Sequence, residues 1–373
     1  MADHVICGFH SKPSGIKHAS IEQDKELEKS MSVFASIHAP DEAWLSRAEP
    51  EPVTDPDLPI IDTHLHLWEF NGHRYLLDDY VRDLESCGHN VVASVFVECF
   101  SMYRATGPEH LKYVGETEFA VGMAAMAASG KYTRSRVASG IVGYADLTLG
   151  DKTREAVEAH IDAANGRFRG VRQRAKWDAD PVVKGRYSAD RPGLYLDPAF
   201  GRGIDLLKSH GLSFDASIYH PQLPDVTALA RAHPDARIVL IHCGSPVGHS
   251  SYSGKEAENH AVWLSGMREL SRCPNVTVKL GGILMNVANF DFTTAEAPPT
   301  SRRLAQLWRP WIEPCIELFG ADRCMVSSNF PVDKAGFGYG TVWNMFKHIA
   351  SECSADEKQL LFSETAKRVY RLT

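Results

Sequence analysis

The chain has 373 residues with 40 Lys+Arg against 47 Asp+Glu, a formal charge of −7, and 44% hydrophobic against 23% charged residues, the composition of a soluble globular protein. The acidic balance argues against a nucleic-acid binder, which needs a basic footprint to displace counterions from phosphates, and no run of about 18 apolar residues offers a membrane span. Eight cysteines without a C-x-x-C pair argue against a structural zinc finger. The N-terminus, MADHVICGFHSKPSG, lacks the apolar stretch of a signal peptide and points to a cytoplasmic protein.

Residues 1–56 are a polar block, SIEQDKELEKS and then EPEPVTDPD, whose prolines favour an extended linker. The expectation is an N-terminal extension with at most one short helix. From Leu58 the rhythm changes. LPIIDTHLHLW, NVVASVFVEC, SGIVGYADL, RFRGVRQRA, LSFDASIYH, ARIVLIHCG, NVTVKLGG and RCMVSSNFP each precede a segment of helix length. Val/Ile/Leu-rich strands joined by helices imply a parallel sheet buried on both faces. Eight such units without a dinucleotide-type glycine loop predict an α/β fold, a (β/α)8 TIM barrel over residues 57–373.

In such barrels chemistry sits at the C-terminal ends of the strands. Strand one ends in Asp62-Thr-His64-Leu-His66 and strand two at Glu98. Strand three ends in Tyr144-Ala-Asp146, and strand four carries Arg169 and Arg172. Strand five ends at Tyr219-His220, strand six at His242, strand seven at Lys279, and strand eight at Asn329 with Asp333-Lys334 beyond it. His64 and His66, two apart, share a strand face and can bind one cation; His220 and His242 end two further strands. Glu98, in the apolar run FVECF, is better explained by a cation than by a buried salt bridge to Arg172. Of Glu116 and Glu118 only one can face the mouth, and Glu116 is the nominee. The ligand set His64, His66, Glu98, Glu116, His220, His242 and Asn329 suits two ions such as iron, manganese or zinc.

Asn329 has no basic carboxylate. It can coordinate a metal through its oxygen, hydrogen-bond a substrate, or cap a turn. Asp333 can substitute as base, or cap the following loop, or pair with Lys334. Arg169, Arg172, Lys176 and Lys279 suit an anionic substrate, or they pair with interior acids. Tyr144 and Trp177 offer substrate walls, and the long segments 177–198 and 283–300 are candidate lids.

IIDTHLHLW, FRGVR, YHPQL and SNFP together resemble the amidohydrolase-2 branch of the amidohydrolase superfamily, which includes lactonases and decarboxylases. In that superfamily strand eight usually ends in an aspartate that binds metal and takes a proton from the attacking water; here Asn329 stands in that place. SNFPVDK, with the glutamate on strand two, is similar to a sub-branch of TIM-barrel nonheme diiron monooxygenases. That resemblance implies an oxidoreductase of secondary metabolism with two iron ions, dioxygen as cosubstrate and an external reductant. It would hydroxylate a C–H bond of a bulky, diterpenoid-like coenzyme A thioester, with Asn329 and Asp333 at the reacting centre. The alternative is a metal-dependent hydrolase (lactonase or amidase-like) or a decarboxylase. A degenerate barrel used only for binding would have lost some of the four histidines. Analogy with similar barrels suggests a homo-oligomer.

Overall fold

Eight strands make one parallel sheet in sequence order: β1 (Ile60–Leu65), β2 (Val91–Val97), β3 (Arg136–Gly143), β4 (Phe168–Arg174), β5 (Ser213–Ser217), β6 (Arg237–Leu240), β7 (Val276–Leu280) and β8 (Cys324–Val326). This is a computed structural model, and it describes residues 39–70, 72–184, 188–284, 292 and 295–372. Helices follow the strands in turn: α1 (Leu77–Ser86), α2 (Val114–Ala128), α3 (Asp151–Ala163), α4 (Pro198–Ser209), α5 (Leu223–Ala232), α6 (Glu256–Ser271), α7 (Ser301–Phe319) and α8 (Tyr339–Ile349). The expected (β/α)8 barrel is the observed architecture. No helix among the described residues is long and apolar enough to cross a membrane.

The two-residue period of a strand divides the core into two layers. Ile60, Phe96 and Ile141 pack outward against the helices, whereas Ile61, Val95, Val97, Val142, Val239 and Met325 fill the barrel interior. A final helix, α9 (Thr365–Tyr370), inserts Val369 and Tyr370 into that interior cluster. Tyr370 donates its hydroxyl to Asp215 (2.7 Å), which also pairs with Lys279 (2.8 Å). The plug is therefore tied to β5 and β7.

Closure between β8 and β1 is made largely by side chains and by the chain just beyond β8. Thr63 Oγ1 donates to the Val326 carbonyl (2.7 Å), Asn329 N to the His64 carbonyl (3.0 Å) and His66 N to the Phe330 carbonyl (2.8 Å). Asp62, fully buried on β1, accepts from Ser328 N (3.0 Å), Ser328 Oγ (2.6 Å), Tyr339 OH (3.0 Å) and His64 N (3.2 Å). Burial raises its carboxyl pKa and these hydrogen bonds oppose the rise.

The described part of the extension, from residue 39, lies against the barrel as well as linking to it. A short helix, Glu42–Leu45, is capped by Asp41. Its Trp44 is buried and donates Nε1–H to the Ala295 carbonyl (2.8 Å). Glu51 accepts from Ser301 N and Oγ at the start of α7, and Glu42 pairs with Lys334 (3.0 Å). One buried tryptophan thus gives this stretch an apolar anchor that its polar composition hides. Residues 1–38 lie outside the described residues.

Replacing Asp62 with Ala leaves buried donors on Ser328 and Tyr339 unpaired. We expect a loss of about 3 kcal/mol of stability by equilibrium urea unfolding; a loss below about 1 kcal/mol would contradict the closure described.

Candidate active site

Three histidines converge at the C-terminal end of the barrel. His64 lies within β1 and His66 just beyond it, with ring centroids 4.9 Å apart. His242 follows β6 with its ring 4.4 Å from that of His64. His242 has φ +53, in the left-handed region that costs a non-glycine residue energy. It is held there by Gly282, where an added Cβ would stand 1.8 Å from the His242 Nδ1. Nδ1 of His66 faces the Val97 carbonyl (2.7 Å) and Nδ1 of His242 the Gly281 carbonyl (3.2 Å). A carbonyl only accepts, so each Nδ1 carries the proton and each Nε2 keeps its lone pair. All three rings are held well below the usual imidazole pKa, first by burial and then by neighbouring cations and histidines. They are neutral at pH 7.

The cations are on β4 and just beyond it. Arg172 and Arg174 alternate along the strand and so share a face, and Lys176 follows two residues after its end. Arg172 donates Nε–H to Glu98 (2.7 Å) and bonds the Glu98 carbonyl, while its Nη1 lies 3.2 Å from His64 Nε2. Arg174 pairs with the same Glu98 oxygen (3.2 Å) and covers the Phe100 ring at 4.0 Å. Burial, with Arg174 and Arg172 beside it, pushes the Lys176 ammonium down to about 7. Arg174 escaped the sequence reading, although its alternation with Arg172 was a legible sign.

Several nominated residues have other duties. Glu98 forms the buried salt bridge to Arg172, the less favoured reading, through Oε1, while its Oε2 is buried without a hydrogen-bond partner among the described residues. Glu116 turns Oε1 to the backbone N–H groups of Cys99 (2.8 Å) and Ser101 (2.9 Å), bracing the loop after β2; burial, then Glu98, pushes its carboxyl up to about 8. Glu118 pairs instead with Arg104 at the surface. His220 accepts from Val247 N (3.1 Å) and packs on Tyr252. Lys279 is fully buried against Asp215, so it is corrected from substrate contact to structural ion. Arg169 is the second residue of β4 and lies at the opposite end of the barrel. Trp177 is half-buried and donates its backbone N–H to Gln222 (2.9 Å).

Asn329, at φ +57 just past β8, donates Nδ2–H to Asp333 Oδ1 (2.8 Å). Asp333 is fully buried, its other oxygen has no hydrogen-bond partner among the described residues, and burial pushes its carboxyl up to about 8. It does not pair with Lys334, which reaches Asp83 (3.0 Å) and Glu42 instead. Largely protonated at neutral pH and held by Asn329, Asp333 is poorly suited to be the base.

Among the described residues no group of three or more His, Cys, Asp or Glu is arranged to hold a metal ion. The decisive feature is Arg172, whose guanidinium already stands between Glu98 and His64. A divalent ion bridging that pair would sit against a fixed positive charge. Among the nominated site residues, His64 Nδ1, Glu98 Oε2, Glu116 Oε2 and Asp333 Oδ2 are buried without a hydrogen-bond partner among the described residues.

Beside the cations opens a cavity of about 650 Å³ lined by Phe100, Tyr103, Tyr113, Tyr144, Asp146 and Arg174, among others. Its tyrosines meet edge to face, Tyr103–Tyr113 at 5.1 Å and Tyr113–Tyr144 at 4.6 Å. The Tyr103 hydroxyl is buried without a hydrogen-bond partner among the described residues. Residues 188–191 and 194 complete the wall. Residues 185–187 of the first lid segment, and 285–291 and 293–294 of the second, lie outside the described residues.

The profile of the amidohydrolase family Amidohydro_2 matches residues 61–372. The chain belongs to this family. An uncharacterized protein, y4mH, of Sinorhizobium fredii is 30% identical over 85% of this chain and 99% of its own length. An L-fucono-1,5-lactonase of Burkholderia multivorans is 26% identical over 84% and 96%. The crystal structure of an amidohydrolase from Burkholderia multivorans with bound zinc superposes with a TM-score of 0.63 at 24% identity, over 84% of this chain and 99% of that one. These amidohydrolase relatives overturn the expectation of a diiron monooxygenase: the chain is an enzyme of the amidohydrolase superfamily, not an oxidoreductase. The two irons, dioxygen, reductant and coenzyme A thioester find no support in them.

Folding raises the Asp333 pKa from 3.8 to about 8, so the folded state binds this proton more tightly than the unfolded chain. The group's contribution to stability is full below about pH 4 and declines as pH rises towards 8. Asp333→Asn keeps an acceptor for Asn329 and cannot ionise. Between pH 5 and 8 the parent is expected to lose stability relative to this variant by up to about 1.4 kcal/mol per pH unit, read by urea unfolding; parallel pH curves would refute the assignment.

Proposed function

We propose that this amidohydrolase opens the ring of a small, polar lactone by hydrolysis, using side chains of its own as acid, base and oxyanion partner. The observation that carries the reading is Arg172 at 3.2 Å from His64 Nε2, whose ring stands 4.4 Å from that of the neutral His242. Lys176 and Arg172 both hold the His242 pKa down. An ester carbonyl turned towards them gains stabilisation as its oxygen becomes an oxyanion, in a site walled from water. The Nε2 of His242, freed by the Nδ1 bond to Gly281, is the proton acceptor for the attacking water. His242 then returns that proton to the leaving alkoxide, and His66, oriented in the same way by Val97, is a second acceptor.

The lactone ring is assigned to the tyrosine-lined cavity. Its rings offer flat apolar faces, and its hydroxyls and Asp146 offer partners to substrate hydroxyl groups. The similarity to an L-fucono-1,5-lactonase supports a substrate of this class.

A panel of 1,4- and 1,5-aldonolactones, assayed by acid release, tests the proposal. Turnover is expected with at least one member and to persist after exhaustive chelation. His242→Ala is expected to lower kcat by roughly 100-fold or more. With neutral histidines as acceptors, the acid limb of kcat/KM should lie below the ordinary imidazole value of 6.5. Loss of turnover on chelation with recovery on adding zinc, full activity in the variant, or release of carbon dioxide in place of ring opening would each contradict it.

A further inference from the structure

The N-terminal ends of the strands, opposite the mouth, gather arginines. Arg136 opens β3, Arg167 and Arg169 stand at the start of β4, and Arg237 opens β6. Arg134 precedes β3 and Arg371 follows α9. Arg134, Arg136, Arg167 and Arg169 line one cavity of about 700 Å³. Its remaining wall is small: Ala124, Ala127, Gly130 and Gly166 leave room for a ligand.

These guanidinium groups are held by carbonyls, which carry no net charge. Arg169 Nη1 donates to Gly166 (2.7 Å) and Phe168 (3.0 Å), Arg167 to Asn165 (3.4 Å), and Arg237 to Gly211 (3.1 Å). Burial lowers the pKa of Arg169 and of Arg237, and the charges that add to it are other arginines: Arg371 and Arg167 on the first, Arg371 and Arg368 on the second. A protein with a net charge of −7 nonetheless concentrates like charges here without interleaved carboxylates. Two polar atoms in the same wall are buried without a hydrogen-bond partner among the described residues: Nε of Arg169, and Oγ of Ser135, a residue only 7% exposed. Such atoms are costly unless something satisfies them.

We propose that this cavity is a second binding site, for a small molecule carrying two or more phosphoryl groups. Guanidinium forks match phosphate oxygens in geometry as well as charge. The concave volume suits a small ligand, whereas a nucleic acid would need a broad basic face that the overall acidity denies. The site is remote from the mouth and its occupancy is independent of the hydrolase reading.

Isothermal titration of the full chain with inorganic triphosphate tests it. One equivalent is expected to bind, with affinity falling as salt rises. The double variant Arg134→Gln/Arg167→Gln is expected to bind at least tenfold more weakly at unchanged circular dichroism and turnover, and Arg136→Gln to weaken binding on its own. Adenosine triphosphate binding more tightly than triphosphate would assign a nucleotide-borne group, and equal binding a free polyphosphate; either supports the site. No binding at millimolar triphosphate, undiminished binding in both variants, loss of binding through Lys176→Met at the mouth instead, or tighter binding of an oligonucleotide would overturn it.

Discussion

The Glu98–Arg172 ion pair sets the chemistry of the mouth. Both side chains are buried, and taking each charge out of water costs several kcal/mol unless the partner and further hydrogen bonds restore it. Arg172 meets that demand with three contacts: the Glu98 carboxylate, the Glu98 carbonyl and His64. Removing either member would leave the other buried and unpaired, so the guanidinium cannot easily swing aside. Its fixed charge helps keep His64, His66 and His242 neutral. In the proposed function imidazole activates the water.

The same arrangement accounts for Asn329. A second ionised carboxylate beside His64 would pair with a metal; without one, an amide that holds the protonated Asp333 is compatible with burial. The interior below is built on similar terms. Asp215 joins Lys279 to the α9 plug through Tyr370, and Lys279 in turn bears on the pKa of His64 and His242.

The barrel was legible because eight strand-length apolar runs are a local pattern, each followed by its helix. His64, His66 and His242 were legible because a strand end is itself a place in the fold. Pairings across strands were not. Glu98 and Arg172 are 74 residues apart, and nothing in FVECF says whether its charge meets a cation from solution or from the chain. Arg169 and Arg172 lie three residues apart on a seven-residue strand, enough to put them near opposite ends. Helix geometry separated Glu116 from Glu118 without saying which turns inward, and the backbone partners of Glu116, Cys99 and Ser101, come from a loop that carries no pattern. Trp44 shows the same limit in the extension. The oxygenase reading rested on a short segment after β8, whereas family similarity weighs residues 61–372.

The most direct measurement of the central claim is anomalous diffraction at the zinc edge from crystals grown in excess zinc. The account predicts the Arg172 guanidinium between Glu98 and His64, with no zinc signal within ligation distance of His64, His66 or Glu98. A zinc ion bound by those side chains, with Arg172 displaced from Glu98, would contradict it.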